Sequence, residues 1–304
     1  MRNTIFSSIE ELRDFITLDI SSDFETIKPY IIQAEKEVRE ITGDELFDLV
    51  VEYVNQEPED PENPEDEPED DNSERFDLLL PYMRSSLANF GYLYAIDKLN
   101  VNVGNTGITV ASNNNFTPAN EWRITNLKNS LQTSADDSQE ELLKFLENNV
   151  GDYDEWVDSD AYSFQKKFYI NNASEFFNSI SKKITRTYFL SLREYVLLSE
   201  NDVIEAISKE LNDEIKAEIL NGDVSENNQI LLNWIKPAVC YLALSKKEKN
   251  EDWRQQGAKN IKQLRNYLNA NAEDYPLYLA SDCYNVSSSV DYNNANSGLY
   301  GFGI

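Results

Sequence analysis

Apolar residues recur along this chain at intervals of three and four, and only once with the alternation of a strand. In "TIKPYIIQAEKEVREITG", Ile27, Ile31, Ala34, Val38 and Ile41 form one helical stripe. Thr26 caps its start, Pro29 falls in the tolerated first turn, and Gly43 ends it. "DELFDLVVEYV" places Leu46, Leu49, Val50 and Tyr53 on one face of a short helix. "DLLLPYMRSSLANFGYLYAIDKL" does the same for Leu79, Leu80, Met83, Leu87, Phe90 and Tyr94, and this helix is expected at the centre of the core. Alternation appears in "NVNVGNTGITVAS": Val101 and Val103, turn residues from Asn105 to Gly107, then Ile108 and Val110. The pattern predicts a β-hairpin within 100–112, too short to stand alone and needing helices or another subunit to lean on. "EWRITNLKNSL" and "SQEELLKFLENN" return to helix, with Ser138 and Glu141 at capping-box spacing.

The chain then repeats itself. "LENNVGDYDEWVDSDAY" (146–162) aligns without a gap on "LNANAEDYPLYLASDCY" (268–284). "EWR" (121–123) answers "DWR" (252–254), and "LLLPYMRSSLANFGY" (78–92) answers "ILLNWIKPAVCYLAL" (230–244) in apolar pattern. Phe24, Ile27 and Ile31 likewise answer Phe177, Ile180 and Ile184. Four blocks in the same order point to duplication. The expected fold is mainly α, with two duplicated helical-bundle units: 1–162, carrying an acidic loop (55–74) and the inserted β-hairpin (100–112), and 163–284. A C-terminal arm, 285–304, follows.

Charge changes the picture most. "EPEDPENPEDEPEDD" (57–71) holds ten carboxylates and four prolines, a composition that reads as an extended, solvated loop. It serves either as a spacer or as an electrostatic element that repels DNA or meets a basic partner. The whole chain has a formal charge of −28, and removing the run still leaves about −18, so the folded parts are acidic too and condensed binding to a nucleic-acid backbone is disfavoured. The absence of histidine removes Ser/His/Asp and Cys/His triads and HExxH zinc sites. Cys240 and Cys283 have no CxxC partner and read as buried free thiols in a reducing compartment. No signal-peptide core and no run of membrane-spanning length occurs, which suggests a soluble protein made in a cytoplasm.

Candidate chemistry is sparse. "DYDEWVDSD" (152–160) alternates carboxylates like a calcium loop but lacks the glycine at the sixth position and the glutamate at the twelfth, so it reads as an inter-helix turn with aromatic anchors. No GxGxxG or GxxxxGK[ST] is present. No catalytic residue, cofactor or metal is expected. The tail ends in Leu299, Tyr300, Phe302 and Ile304, which either fray or dock on a neighbouring surface to leave water. With Val101, Val103, Ile108 and Val110 of the hairpin, these are the candidate interface residues.

The succession "FETIKPYIIQAEKEVREITGDELFDLV", "LLLPYMRSSLANFGYLYAIDKLNVNVGNTGITVAS", "EWRITNLKNSL" and "LLKFLENN" resembles the helical head-to-tail connector (neck or ring) proteins of tailed phages, particularly a family of Bacteroidetes phages, prophages and crAss-like phages. The likeness covers most of the chain, and "LNVNVGNTGITV" is its most distinctive piece; the acidic prolines and the tail depart from it. It implies a non-enzymatic virion protein of the neck or tail region, assembled in the host cytoplasm. It implies a homo-oligomeric ring, a dodecamer by resemblance, that meets the portal and other neck or tail proteins. DNA passes through without specific binding, and no membrane is involved. The alternative is a cytoplasmic helical adaptor that binds a basic partner through the acidic loop; an enzyme using carboxylates or a metal is third.

Overall fold

Caps and carbonyl acceptors mark where each helix begins. Asn120 accepts from the Arg123 amide (3.0 Å), Asn250 from that of Trp253 (3.1 Å) and Ser225 from that of Asn228 (3.4 Å), each filling a donor left open by the first turn. The computed structural model describes residues 4–18, 23–56, 73–99, 102–104, 107–109 and 120–284, and over them the fold is mainly α. The acidic run and the C-terminal arm lie outside these residues. The chain divides into two compact units, Met1–Val196 and Leu197–Ile304.

The first unit holds α1 (Ile9–Arg13), α2 (Phe24–Thr42), α3 (Asp44–Val54) and α4 (Ser73–Leu99). Strands β1 (Asn102–Gly104) and β2 (Gly107–Thr109) come next, pairing antiparallel with Val103 opposite Ile108. Then follow α5 (Glu121–Asn148), α6 (Asp154–Val157), α7 (Asp160–Lys166), α8 (Ala173–Ile180) and α9 (Arg186–Leu190). The long helix α4 packs on both α2 and α5. Leu79, Met83 and Leu87 of α4 and Ile31, Val38 and Ile41 of α2 are buried in one cluster with Leu142, Leu146 and Trp156. Gly43 turns α2 into α3 at φ 76°, a backbone state that costs glycine little.

The division falls inside α10 (Arg193–Ile207). The second unit continues with α11 (Lys209–Asn221), α12 (Glu226–Glu248), α13 (Glu251–Ala270) and α14 (Pro276–Leu279). Helix α12 packs along α13, and Gly257 lets the two approach: a Cβ there would lie 2.6 Å from Leu242 Cγ. Leu231, Ile235, Val239, Leu264, Leu268 and Tyr278 are buried.

Burial follows the same order along α2–α5 and along the stretch from Leu192 through α13. On α2, Ile27, Ile31, Ala34, Glu35, Val38 and Ile41 are buried; at matching spacing so are Leu192, Val196, Ser199, Glu200, Val203 and Ala206 around α10. Gly43 at φ 76° is matched by Ser208 at φ 85°, and Leu46, Phe47 and Val50 by Leu211, Asn212 and Ile215. Leu79, Met83, Leu87 and Ala88 of α4 are matched by Leu231, Ile235, Val239 and Cys240 of α12. Beyond α5 and again beyond α13 the chain makes a 3-10 turn, Val150–Asp152 and Ala272–Asp274, with Tyr153 at φ −132°, ψ 69° and Tyr275 at φ −126°, ψ 73°.

Several sequence expectations need correction. Helix α2 begins at Phe24, before Thr26, and Ser138 lies inside the continuous helix α5, where it donates to the Ala135 carbonyl and opens no new helix. At the spacing that sets Ala135 against Gly257, Trp253 falls opposite Leu131, so "EWR" does not answer "DWR". The pairing of Phe24, Ile27 and Ile31 with Phe177, Ile180 and Ile184 does not follow burial: Ile27 and Ile31 are in the core, whereas Phe177 is 56% exposed and Ile180 and Ile184 are half-buried. The boundary at 162/163 also moves, because residues 163–196 belong with the first unit, where carboxylates of α5 hold them. Of the two thiols, Cys240 is buried but Cys283 is partly exposed.

Candidate assembly surfaces

Helix α5 runs back along α4, since Tyr82 near the start of α4 stacks on Phe145 near the end of α5 (centroids 4.5 Å apart). The first half of α5 therefore lies at the same end as β1 and β2. From Glu121 to Ser134 no side chain of α5 is buried, a stretch of about 20 Å at 1.5 Å per residue. Trp122 is 68% exposed there, Leu127 is exposed, and Ile124 and Leu131 are half-buried. Helix α13 has no such overhang. It is 20 residues long against 28 for α5, and its first buried residue, Gly257, stands where α5 has Ala135, as Leu264 and Leu268 stand for Leu142 and Leu146.

The outer face of α5 is a row of carboxylates that grips the chain after α7. Glu140 accepts the amides of Ala173 (3.3 Å) and Ser174 (3.1 Å) at the start of α8, the Ser174 hydroxyl (3.1 Å) and Arg186 Nη1 (3.0 Å). A negative side chain there also meets the positive end of the α8 dipole. Asp136 accepts the Thr187 amide (3.3 Å) and hydroxyl (2.7 Å). Glu147 accepts Lys166 Nζ and Asn172 Nδ2, both at 3.2 Å; burial pushes its pKa up, against the pull of Lys166 and with help from Glu175 and Glu140. A cleft of about 670 Å³ opens here between α5 and α8. These acids act as clamps for a covering segment.

The acidic motif at 152–160 is also structural. Tyr153 donates to the Arg75 carbonyl (2.8 Å) and Trp156 Nε1 to the Ile41 carbonyl at the end of α2 (2.7 Å). Burial first, then Asp152, pushes the Tyr153 hydroxyl up to about 12, so it stays a donor. Arg75 meets Glu155 with two nitrogens (2.9 and 2.7 Å). Among the described residues no cluster of three or more acidic, Cys or His side chains is placed to hold a metal ion.

A third surface lies on the second unit, where α12 turns into α13. A cleft of about 570 Å³ has Leu242, Ala258 and Ile261 on its apolar side and Lys246, Lys249 and Arg254 on its charged side. Lys246 pairs with Asp202, and Arg254 with Glu251.

Of the candidate interface residues, Val103 and Ile108 sit opposite each other in the β1–β2 register. Val101, Val110, Leu299, Tyr300, Phe302 and Ile304 lie outside the described residues. Sequence reasoning missed Trp122: apolar residues run through α5 from its first turns (Ile124, Leu127, Leu131), so nothing local separates its exposed first half from its buried second half. It also missed the Glu140 and Asp136 clamp, for which no local pattern exists.

A profile for DUF6712, described as a family of unknown function, matches residues 38–165, 201–247 and 246–288. No curated protein and no solved structure matches the chain.

Proposed function

The chain belongs to the DUF6712 family, a family of unknown function, and from that premise we propose that it is a non-enzymatic structural protein. In this reading it assembles with its own copies as a ring at the head-to-tail connection of a tailed-phage virion, next to portal and tail proteins. The observation that carries the self-assembly part is the overhang of α5, where Trp122 is 68% exposed on a helix end with no fully buried side chain. Tryptophan is enriched among the residues that carry the binding energy of protein contacts. A ring also needs heterologous contacts, one patch meeting a different patch on the next copy, and an arm present on one unit alone suits that requirement.

Duplication is part of the same proposal. Support comes from the repeated burial along α2–α5 and α10–α13 and from the repeated turns at Tyr153 and Tyr275. The hairpin and the acidic run are then insertions in the first copy, and both sit where the second has a shorter link. A charge of −28 fits a channel wall past which DNA moves without sticking, because repulsion disfavours a bound, stalled state.

Mass photometry of the full chain, with negative-stain imaging of large species, tests the proposal. Closed rings are expected, and Trp122→Ala should reduce them. A monomer at every concentration up to tens of micromolar would overturn self-assembly and favour the adaptor reading, which capture of a basic partner through residues 57–71 would then support.

A further inference from the structure

By burial, α5 and α13 occupy equivalent places, yet their outer faces carry opposite charge. Where α5 has Gln132, Asp136, Asp137 and Glu140, α13 has Arg254, Ala258, Lys259 and Lys262. The α5 face is covered by the segment its acids clamp. On α13 Arg254, Ala258, Lys259, Lys262 and Arg265 are exposed. Residues 246–265 hold seven Lys and Arg against three Asp and Glu, in a chain of net charge −28.

We propose that this face, with the cleft at its upper end, docks the acidic proline run 57–71 of a second copy of the chain. Charge complementarity names the occupant, since the run carries ten carboxylates. The apolar side of the cleft suits its prolines. Pro58, Pro61 and Pro64 recur at intervals of three, with carboxylates at most positions between them. In the proposed contact the prolines meet the apolar side of the cleft, Leu242, Ala258 and Ile261, and the acids meet Lys249, Lys259 and Lys262. Lengths agree: from Glu251 to Arg265 α13 rises about 21 Å, within reach of a fifteen-residue run. Asp202 and Glu251 already neutralise Lys246 and Arg254, so the binding falls mainly to Lys249, Lys259 and Lys262. The contact deepens the ring reading and rests on it for the second copy.

The test uses a fluorescent peptide of residues 56–72, titrated by anisotropy into the full chain with 57–71 replaced by Gly and Ser. Binding is expected, weaker at higher salt, with Kd raised at least tenfold by Lys249→Glu, Lys259→Glu and Lys262→Glu together. These positions are exposed, so an unchanged thermal melt will show that the variant is folded. A peptide with its prolines changed to Ser should bind several-fold more weakly. No binding, or a Kd unmoved by the triple substitution, would overturn the proposal. Binding only after removal of residues 285–304 would assign the face to the tail instead, and equal competition by duplex DNA and by the peptide would mark a general polyanion site; either result overturns it. Rings without peptide binding would sink this contact alone, whereas peptide binding without rings would sink the ring reading alone.

Discussion

Helices α5 and α13 share a core face and differ in everything turned outward. Ala135, Leu142 and Leu146 are buried on one, Gly257, Leu264 and Leu268 on the other. On the outside, α5 clamps residues 173–187 through Glu140 and Asp136, while α13 leaves lysines and Arg254 exposed. The difference teaches that a packing scheme constrains only the inner stripe of a helix. The outer stripe is open to a different partner in each unit.

The comparison breaks most sharply at Glu140. Glu140→Ala removes the acceptor of four hydrogen bonds and leaves Arg186, whose side chain is only 5% exposed, without this partner. A loss of about 3–5 kcal/mol is expected in chemical denaturation. Lys262→Ala, at the equivalent place on α13, should change stability by less than about 0.5 kcal/mol. Equal losses at the two sites would mean that the α13 face is also clamped from within.

Gly43 and Ser208 give a second, smaller contrast. Gly43→Ala adds a Cβ 2.8 Å from that of Ser159, at a φ of 76°, and should cost about 1–3 kcal/mol. Ser208→Gly relaxes a residue at φ 85° but loses the bond from the Leu211 amide (3.3 Å), so its effect should stay within about 1 kcal/mol.

Acid unfolding separates the units next. The hydrogen bonds from Arg75 hold the Glu155 carboxylate below its ordinary value, against the upward push of burial. Its folded pKa is depressed, so its stabilisation is present above about 4.5 and is lost as pH falls through the folded value. Glu155→Gln should flatten that acid limb, at a cost near neutrality of about 1 kcal/mol. Leu277 and Asn227 stand in the equivalent places of the second unit and carry no such pair. Glu147 has the opposite sign: its raised pKa favours the folded state at low pH, and that contribution fades as pH climbs from about 4.5 through the raised value. The smallest stability effect belongs to Trp122→Ala, within about 0.5 kcal/mol by thermal melt, even though it should reduce ring formation.

The helices with a clean stripe were legible in the sequence. Ile27, Ile31, Val38 and Ile41, and Leu79, Met83 and Leu87, all lie on the buried faces their spacing predicts, because a 3.6-residue period survives any tertiary context. The turn at 152–160 was legible too, through Tyr153 and Trp156, whose size demands a core. The match of α2 to α10 was not. Ala34 corresponds to Ser199 and Ile41 to Ala206, so only burial relates them, and residue types led instead to Phe177. The short helices α8 and α9 were likewise invisible as part of the first unit, since what ties them there is a handful of hydrogen bonds to α5.

By itself, the sequence determined the helical periodicity, the acidity, the places of the turns and the absence of histidine chemistry, all of which are local or compositional properties. Only the tertiary structure decided that Glu140 serves Ala173, Ser174 and Arg186, that residues 163–196 join the first unit, and that Trp122 projects while Trp156 is sealed. The reason is physical. A side chain's period along a helix is set by its neighbours in sequence, but whether it becomes a clamp, a core anchor or an exposed contact depends on which distant segment comes to lie against it.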